Sequence, residues 1–173
     1  MTTIIRGDDN FDTAIAQKAL VQTYSITASS QALTADTTAN MTGLSATITP
    51  STTSKRIKVS VRWSGEFSAD GHNCVFGIKR GSTDVGNPAA AGVRNVGITT
   101  SMIGFYSINN DSTPETAIYS YVDSPATTSA TTYHATVTHW AAATMYHNQT
   151  KDSTTNNSTR ERLTSSITLE EVD

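Results

Sequence analysis

The chain has 173 residues, the size of one ordinary domain with a single core. Charged residues make up 16% of it and apolar residues 36%, and a net charge of -3 provides no electrostatic footprint for binding nucleic acid through its phosphates. Both shares are below those of an average globular protein, and threonine and serine make up the difference. Threonine favours β-strands because its branched side chain packs well on a pleated sheet.

The first residues of the chain differ from the rest because they hold its densest acidic cluster. Three aspartates, at positions 8, 9 and 12, surround Phe11, and Asp12 is placed to cap a short alanine-rich helix over residues 13–20. Residues 1–19 are therefore predicted to form an arm, either a docking element or a surface turn of helix. In a docking arm, Ile4, Ile5, Phe11, Ile15 and Leu20 would be apolar anchors, and Asp8, Asp9 and Asp12 would meet basic groups.

Strand patterns begin after the arm and are separated by clusters of turn-forming residues. Residues 21–26 are predicted to form the first strand, residues 29–40 a polar loop, and residues 44–48 the next strand. Every second residue from Ile57 to Trp63 is apolar, while Lys58, Ser60 and Arg62 occupy the opposite face. This alternation predicts a strand with one buried face, and we expect Trp63 to lie in the core.

The second half of the chain repeats the alternation. Residues 74–78 predict a strand, residues 80–83 a turn, residues 87–92 a loop or bulge, and residues 96–105 one or two further strands. Three more strands are predicted over residues 117–121, 133–137 with a possible continuation over 142–146, and 163–172. The sequence thus predicts an all-β fold, a single antiparallel β-sandwich or jelly roll of about eight to ten strands over residues 20–173, with a short N-terminal arm.

No motif in the chain indicates catalysis or metal binding. Cys74 is the lone cysteine and is predicted to be a small buried apolar side chain. His72, His134, His139 and His147 lack a compact ligand spacing, and positions 134 and 139 of one strand would face opposite ways, although His139 and His147 would meet if their strands formed a hairpin. No Gly-x-Ser-x-Gly turn is present. We therefore expect no catalytic residue, no cofactor and no metal, and hence not an enzyme.

Three segments resemble the jelly-roll domains of tailed-bacteriophage structural proteins, which are akin to tumour-necrosis-factor-like heads. They are Phe76-Gly-Ile-Lys-Arg-Gly-Ser-Thr-Asp-Val-Gly86, Tyr133-His-Ala-Thr-Val137 and Ser166-Ile-Thr-Leu-Glu-Glu171. The arm, over residues 6–12, is similar to segments that introduce many phage virion modules. The resemblance implies a homotrimer on the surface of a phage particle. The chain has no apolar run suited to secretion or membrane insertion, so we expect synthesis in the host cytoplasm and no membrane partner.

Three classes of function compete, two of them on a phage particle and one outside a virion. We expect a non-enzymatic capsid decoration or cement protein that stabilises the shell, with the arm bound to the major capsid protein or another virion protein. The first alternative is a tail-fibre or spike knob that binds a host receptor, although the chain has no repeat that would form a fibre shaft. A glycan-binding knob would expose aromatic residues at one end, namely Tyr106, Trp140 or Tyr146. The second alternative is a soluble glycan-binding protein or small hydrolase.

Overall fold

A computed structural model describes residues 19–68, 73–90, 92–101, 111–153 and 158–173. These residues form ten β-strands in two antiparallel sheets that pack face to face, so the predicted β-sandwich is confirmed. Sheet A contains β1 (Leu20–Ser25), β2 (Ser29–Leu33), β4 (Arg56–Phe67), β7 (Glu115–Asp123), β9 (Ala143–His147) and β10 (Ser165–Val172). Sheet B contains β3 (Ala39–Ile48), β5 (Cys74–Arg80), β6 (Thr83–Val85) and β8 (Thr131–His139).

Strand β4 organises sheet A because it has three partners. One edge pairs first with β10 and then, from Gly65 to Phe67, with β9, while the other edge pairs with β7. Strand β1 pairs with β10 and β2 pairs with β9. The main strand orders are therefore β1-β10-β4-β7 in sheet A and β3-β8-β5-β6 in sheet B, the interleaved order of a jelly roll.

The core lies between the two sheets and is centred on aromatic rings. Trp63 of sheet A lies 5.3 Å from Phe67 and 5.4 Å from Phe76 of sheet B, measured between ring centroids. The Tyr119 hydroxyl donates a hydrogen bond of 3.1 Å across the core to the Gly77 carbonyl. Trp63 is fully buried and Cys74 is buried, which confirms both sequence predictions.

Gly65 marks the point where β4 changes partner from β10 to β9. A Cβ atom at this position would lie 2.0 Å from the Tyr146 carbonyl oxygen and 2.6 Å from Cζ2 of Trp63. Only glycine therefore lets β9 approach β4 closely enough to pair with it.

The prediction of a loop over residues 29–40 is wrong, because residues 29–33 form β2. This segment is polar, and its conformation depends on distant contacts of Gln31. The Gln31 amide donates to the Asn40 carbonyl at 2.7 Å, and its oxygen accepts from the Thr42 amide at 2.9 Å. The same oxygen lies 2.9 Å from Nε2 of His147. A short edge strand is thus held by side-chain bonds that no local pattern reveals.

Two other predictions can be compared with the structure: a strand over residues 96–105, and a hairpin that would bring His139 and His147 together. Of the region predicted as strand over residues 96–105, the described residues 96–101 form a single bridge between Thr99 and Phe76. Strands β8 and β9 lie in different sheets, so His139 and His147 do not face each other across a hairpin.

Within the described residues, no helix is long and apolar enough to cross a membrane.

Candidate protein-binding face

The outward side of four neighbouring strands in sheet A forms a surface that we call the open face. Strand pairing places its side chains in three rows that cross β1, β10, β4 and β7 in that order. The first row is Leu20, Glu170, Lys58 and Val122; the second is Gln22, Thr168, Ser60 and Ser120; the third is Tyr24, Ser166, Arg62 and Ile118.

The corners of the open face are apolar and exposed. Leu20 is 65% exposed, Tyr24 62%, Ile118 61% and Val122 39%. These are four of the eight large apolar side chains that are exposed among the described residues, so exposed apolar surface is concentrated here. Such a concentration marks an interaction surface more often than singly scattered residues do.

The centre of the open face is polar. The Gln22 amide donates to the Thr168 hydroxyl at 3.0 Å, and the Tyr24 hydroxyl donates to the Gln22 oxygen at 2.8 Å. A shallow cleft of about 380 Å³ lies above β4, with Ser60 and Ser120 among the residues that line it. Hydroxyl groups at the base of this cleft are available to partners outside the chain.

Three charged side chains flank this polar centre. One guanidinium nitrogen of Arg62 donates to the Thr164 carbonyl at 2.7 Å, which leaves its other donors available. Lys58 and Glu170 are directly opposite on β4 and β10. Neither of them belongs to an ion pair within the part of the chain that the structure describes. Both charges are therefore available to a partner.

At the C-terminal end of β4, other segments of the chain cover the outward side of the strand. We call this region the covered half. There Glu66 is 1% exposed, and one of its oxygens accepts from the Thr113 hydroxyl at 2.9 Å. Its second oxygen accepts from the Lys151 amide at 2.8 Å. The segments that supply these donors are tied together, because the Asp152 amide donates to the Asp111 carbonyl at 3.0 Å.

The outward side of sheet B has a different chemistry and is called here the threonine face. The hydroxyls of Thr47 and Thr132 bond to each other at 2.8 Å, and those of Thr38 and Thr138 do the same. Ser45 lies between these pairs and is exposed. The hydroxyls of these four threonines are thus paired across strands, and within β3, β5, β6 and β8 no residue is one of the exposed large apolar side chains of the described residues.

The sequence-predicted binding residues Ile4, Ile5, Asp8, Asp9, Phe11, Asp12 and Ile15 lie outside the described residues. The described chain starts at Ala19, whose carbonyl accepts a hydrogen bond of 2.8 Å from the Glu171 amide. Ala19 also packs against the core, and Leu20 follows as the first corner of the open face. The predicted arm therefore joins the sandwich at the edge of the open face.

The structure describes three of the four histidines, and they lie in different environments. His134 is half-buried on the threonine face, His139 stacks on Phe67 at 5.3 Å, and His72 is outside the described residues. The opposite orientations predicted for His134 and His139 are confirmed. Across the described segments, no group of three or more histidine, cysteine, aspartate or glutamate residues is arranged to hold a metal ion.

His147 is buried, and both of its ring nitrogens form hydrogen bonds. Trp63 Nε1 donates to its Nδ1 at 3.2 Å, so Nε2 carries the proton and donates to Gln31. Burial lowers the pKa of His147 to about 4, and the ring is therefore neutral at neutral pH. This histidine connects β4, β9 and β2 inside the sandwich.

The open face was not predicted from the sequence, although the sequence pattern indicated part of it. Lys58, Ser60 and Arg62 were correctly assigned to the outward side of β4. Ile118 and Val122, however, stand at the positions of β7 that alternate with its buried residues. Apolar residues on the solvent side of a strand were the available signal for a binding surface.

No protein-family model matches the chain, and no curated protein matches it.

Proposed function

We propose that this chain is a non-enzymatic virion surface structural protein of a tailed bacteriophage, and specifically a capsid decoration or cement protein. It acts through protein-protein contacts made by the open face and by the N-terminal arm. The observation that carries this proposal is the open face, where apolar corners surround a polar centre. The homotrimer implied by the phage resemblance belongs to the same proposal.

The position of the arm supports a role in attachment. Ala19 is fixed at the edge of sheet A by its bond to Glu171, so the chain enters sheet A beside the open face. An arm with apolar anchors and acidic side chains can bind a shell protein while the sandwich remains folded. The arm contributes attachment in this proposal, and the sandwich contributes a rigid body with its own binding surface.

The test is to locate the protein on particles of the phage that encodes it. Antibodies against the purified protein should label capsids evenly in immunogold electron microscopy. Removal of residues 1–18 should lower occupancy on purified particles at least tenfold, while Ser45→Asp on the threonine face should leave occupancy unchanged. Absence of the protein from particles, or full occupancy without the arm, would contradict the proposal.

One observation favours the receptor-binding knob as a second candidate. Trp140, the residue that follows β8, is 49% exposed, and its backbone amide donates to the Asn73 carbonyl at 3.1 Å. Tyr146 is half-buried, and Tyr106 is outside the described residues. A half-exposed tryptophan is a suitable platform for a sugar ring.

The knob is distinguished from the decoration protein by location and by one variant. Label confined to tails, together with loss of adsorption to host cells in Trp140→Ala, would establish the knob. Capsid label with normal adsorption in Trp140→Ala would favour the decoration protein.

A further inference from the structure

The three rows of the open face have a symmetry that determines which partner fits them. A rotation of 180° about an axis parallel to the strands, midway between β10 and β4, reverses the order β1-β10-β4-β7. Two copies stacked face to face about this axis keep each row opposite itself. Each β1 then faces the partner's β7, and each β10 faces the partner's β4.

After this rotation, side chains of complementary chemistry from the two copies meet in every row. Leu20 comes to lie opposite Val122 of the second copy, and Tyr24 opposite Ile118. Glu170 comes to lie opposite Lys58, and by symmetry the same ion pair forms twice. In the middle row, Gln22 faces Ser120 and Thr168 faces Ser60, so polar groups also meet polar groups.

The other face-to-face arrangement does not have this match. A two-fold axis perpendicular to the strands, through the middle row, would exchange the first and third rows. Lys58 would then lie opposite Arg62 of the second copy, and Glu170 would lie opposite Ser166. Like charges would meet and the carboxylate would lose its cationic partner, so charge complementarity selects the axis parallel to the strands.

We propose that the open face binds a second copy of this chain about a two-fold axis parallel to its strands. The inference rests on the proposed function only in treating this face as a protein-binding surface. The contact is isologous, so it joins two copies and cannot close a ring of three; a homotrimer would need a separate surface.

The dimensions of the open face indicate the strength of the contact. Four strands and three rows cover about 20 Å by 20 Å, which corresponds to roughly 800 Å² buried over both copies. This is below the roughly 1,000 Å² that a stable interface needs, so the contact belongs to the weak and transient class. We therefore expect a reversible dimer that forms in the micromolar range, a strength that suffices where many copies are held side by side on a particle.

The test uses purified protein and two charge-reversing variants in sedimentation experiments. The wild type should reach twice the 18.4 kDa chain mass as its concentration rises. Lys58→Glu places a carboxylate opposite Glu170 of the second copy, and Glu170→Lys places an ammonium group opposite Lys58 of the second copy. Each variant alone should have a dissociation constant at least tenfold higher.

Mixing the two variants isolates the contact between copies. In the mixed dimer, the carboxylate introduced by K58E meets the ammonium group introduced by E170K. The second ion pair forms between the unaltered Glu170 of one chain and the unaltered Lys58 of the other. Equimolar mixing should therefore restore dimers to near wild-type affinity.

The rescue reports only on the interface. Each variant also places two like charges on neighbouring positions of β4 and β10 in its own sheet, but mixing changes nothing inside either chain. Arg94→Glu, at an exposed position outside the open face, is the matched control and should dimerise normally.

Three outcomes would overturn the two-fold contact. They are a wild type that stays monomeric up to millimolar concentration, oligomers that persist unchanged in Lys58→Glu, and a mixture that remains monomeric. None of these measurements involves a virion, so failure of the dimer and failure of the decoration role are separate results.

Discussion

The two ends of β4 present the same side of the same strand to different surroundings. At the covered half, Glu66 is buried and both its oxygens accept hydrogen bonds from neighbouring segments. At the open face, Lys58 and Ser60 point in the same direction and meet solvent beside exposed apolar corners. Among the described residues, the chain therefore covers one half of this surface with its own loops and leaves the other half exposed.

The difference shows which half serves stability and which serves binding. A buried carboxylate with two donors is costly to disturb, because the loss of one partner leaves another polar group buried without compensation. Exposed residues on the open face can change with little effect on folding. Variants on one strand can therefore separate the two roles.

Acidification should have the largest effect on stability, and it acts inside the sandwich through His147. Burial lowers the pKa of His147 from 6.5 to about 4, so below pH 6.5 the unfolded chain binds a proton that the folded chain does not. Stability should therefore fall as pH falls, by about 2 kcal/mol between pH 7 and pH 5 and by roughly 3 kcal/mol at pH 4. Urea denaturation at several pH values measures this loss.

The control for acidification is His147→Asn, whose side chain does not titrate. Glu171 makes its own contribution at lower pH, since two hydrogen bonds from Ser51 lower its pKa. Between pH 7 and pH 5 the His147→Asn protein should show a flatter dependence than the wild type. Equal slopes for the two proteins would assign the acid sensitivity to other groups.

Glu66→Ala should produce the next largest effect, a loss of about 2 to 3 kcal/mol of unfolding free energy, because the Thr113 hydroxyl and the Lys151 amide would both lose their acceptor. The matched variant Ser60→Ala changes the same side of β4 at the open face and should alter stability by less than about 0.5 kcal/mol. Chemical denaturation of both proteins tests the comparison, and equal losses would remove the distinction between the halves.

Ile118→Asp should have a smaller effect on folding but a clear effect on self-association. Ile118 is exposed in the single chain, whereas the proposed dimer places it against Tyr24 of the second copy. The dissociation constant should rise at least tenfold, which corresponds to about 1.4 kcal/mol or more. Ser45→Asp on the threonine face should dimerise as the wild type does, and sedimentation of both variants makes the measurement.

The fold was predictable from the sequence where apolar and polar residues alternate regularly along a strand. The pattern from Ile57 to Trp63 reports burial on one face directly, and Trp63 lies in the core as expected. Strand β2 was not predictable, because Gln31 is held by Thr42 and His147, which lie outside its own segment. Its sequence is polar, and tertiary contacts override weak local preference.

The open face was only partly predictable for a similar reason. The outward positions of Lys58 and Arg62 follow from the period of the strand, but their distance in sequence from Ile118 and Glu170 hides the rows. Register between strands depends on the whole sandwich, and it decides which side chains become neighbours. The predicted binding residues of the arm stay a prediction.

The pairing of β1 with β10 has a consequence for how the protein is made. Gln22 and Thr168 are bonded neighbours although 146 positions separate them along the chain. Contacts between such distant segments form late, since the intervening loop must be closed first. On the ribosome, a nascent chain that has reached only β7 has no β10 between its first strand and β4. The rows of the open face therefore do not exist until β10 has been made, and nascent chains that still lack β10 cannot pair through the proposed two-fold contact.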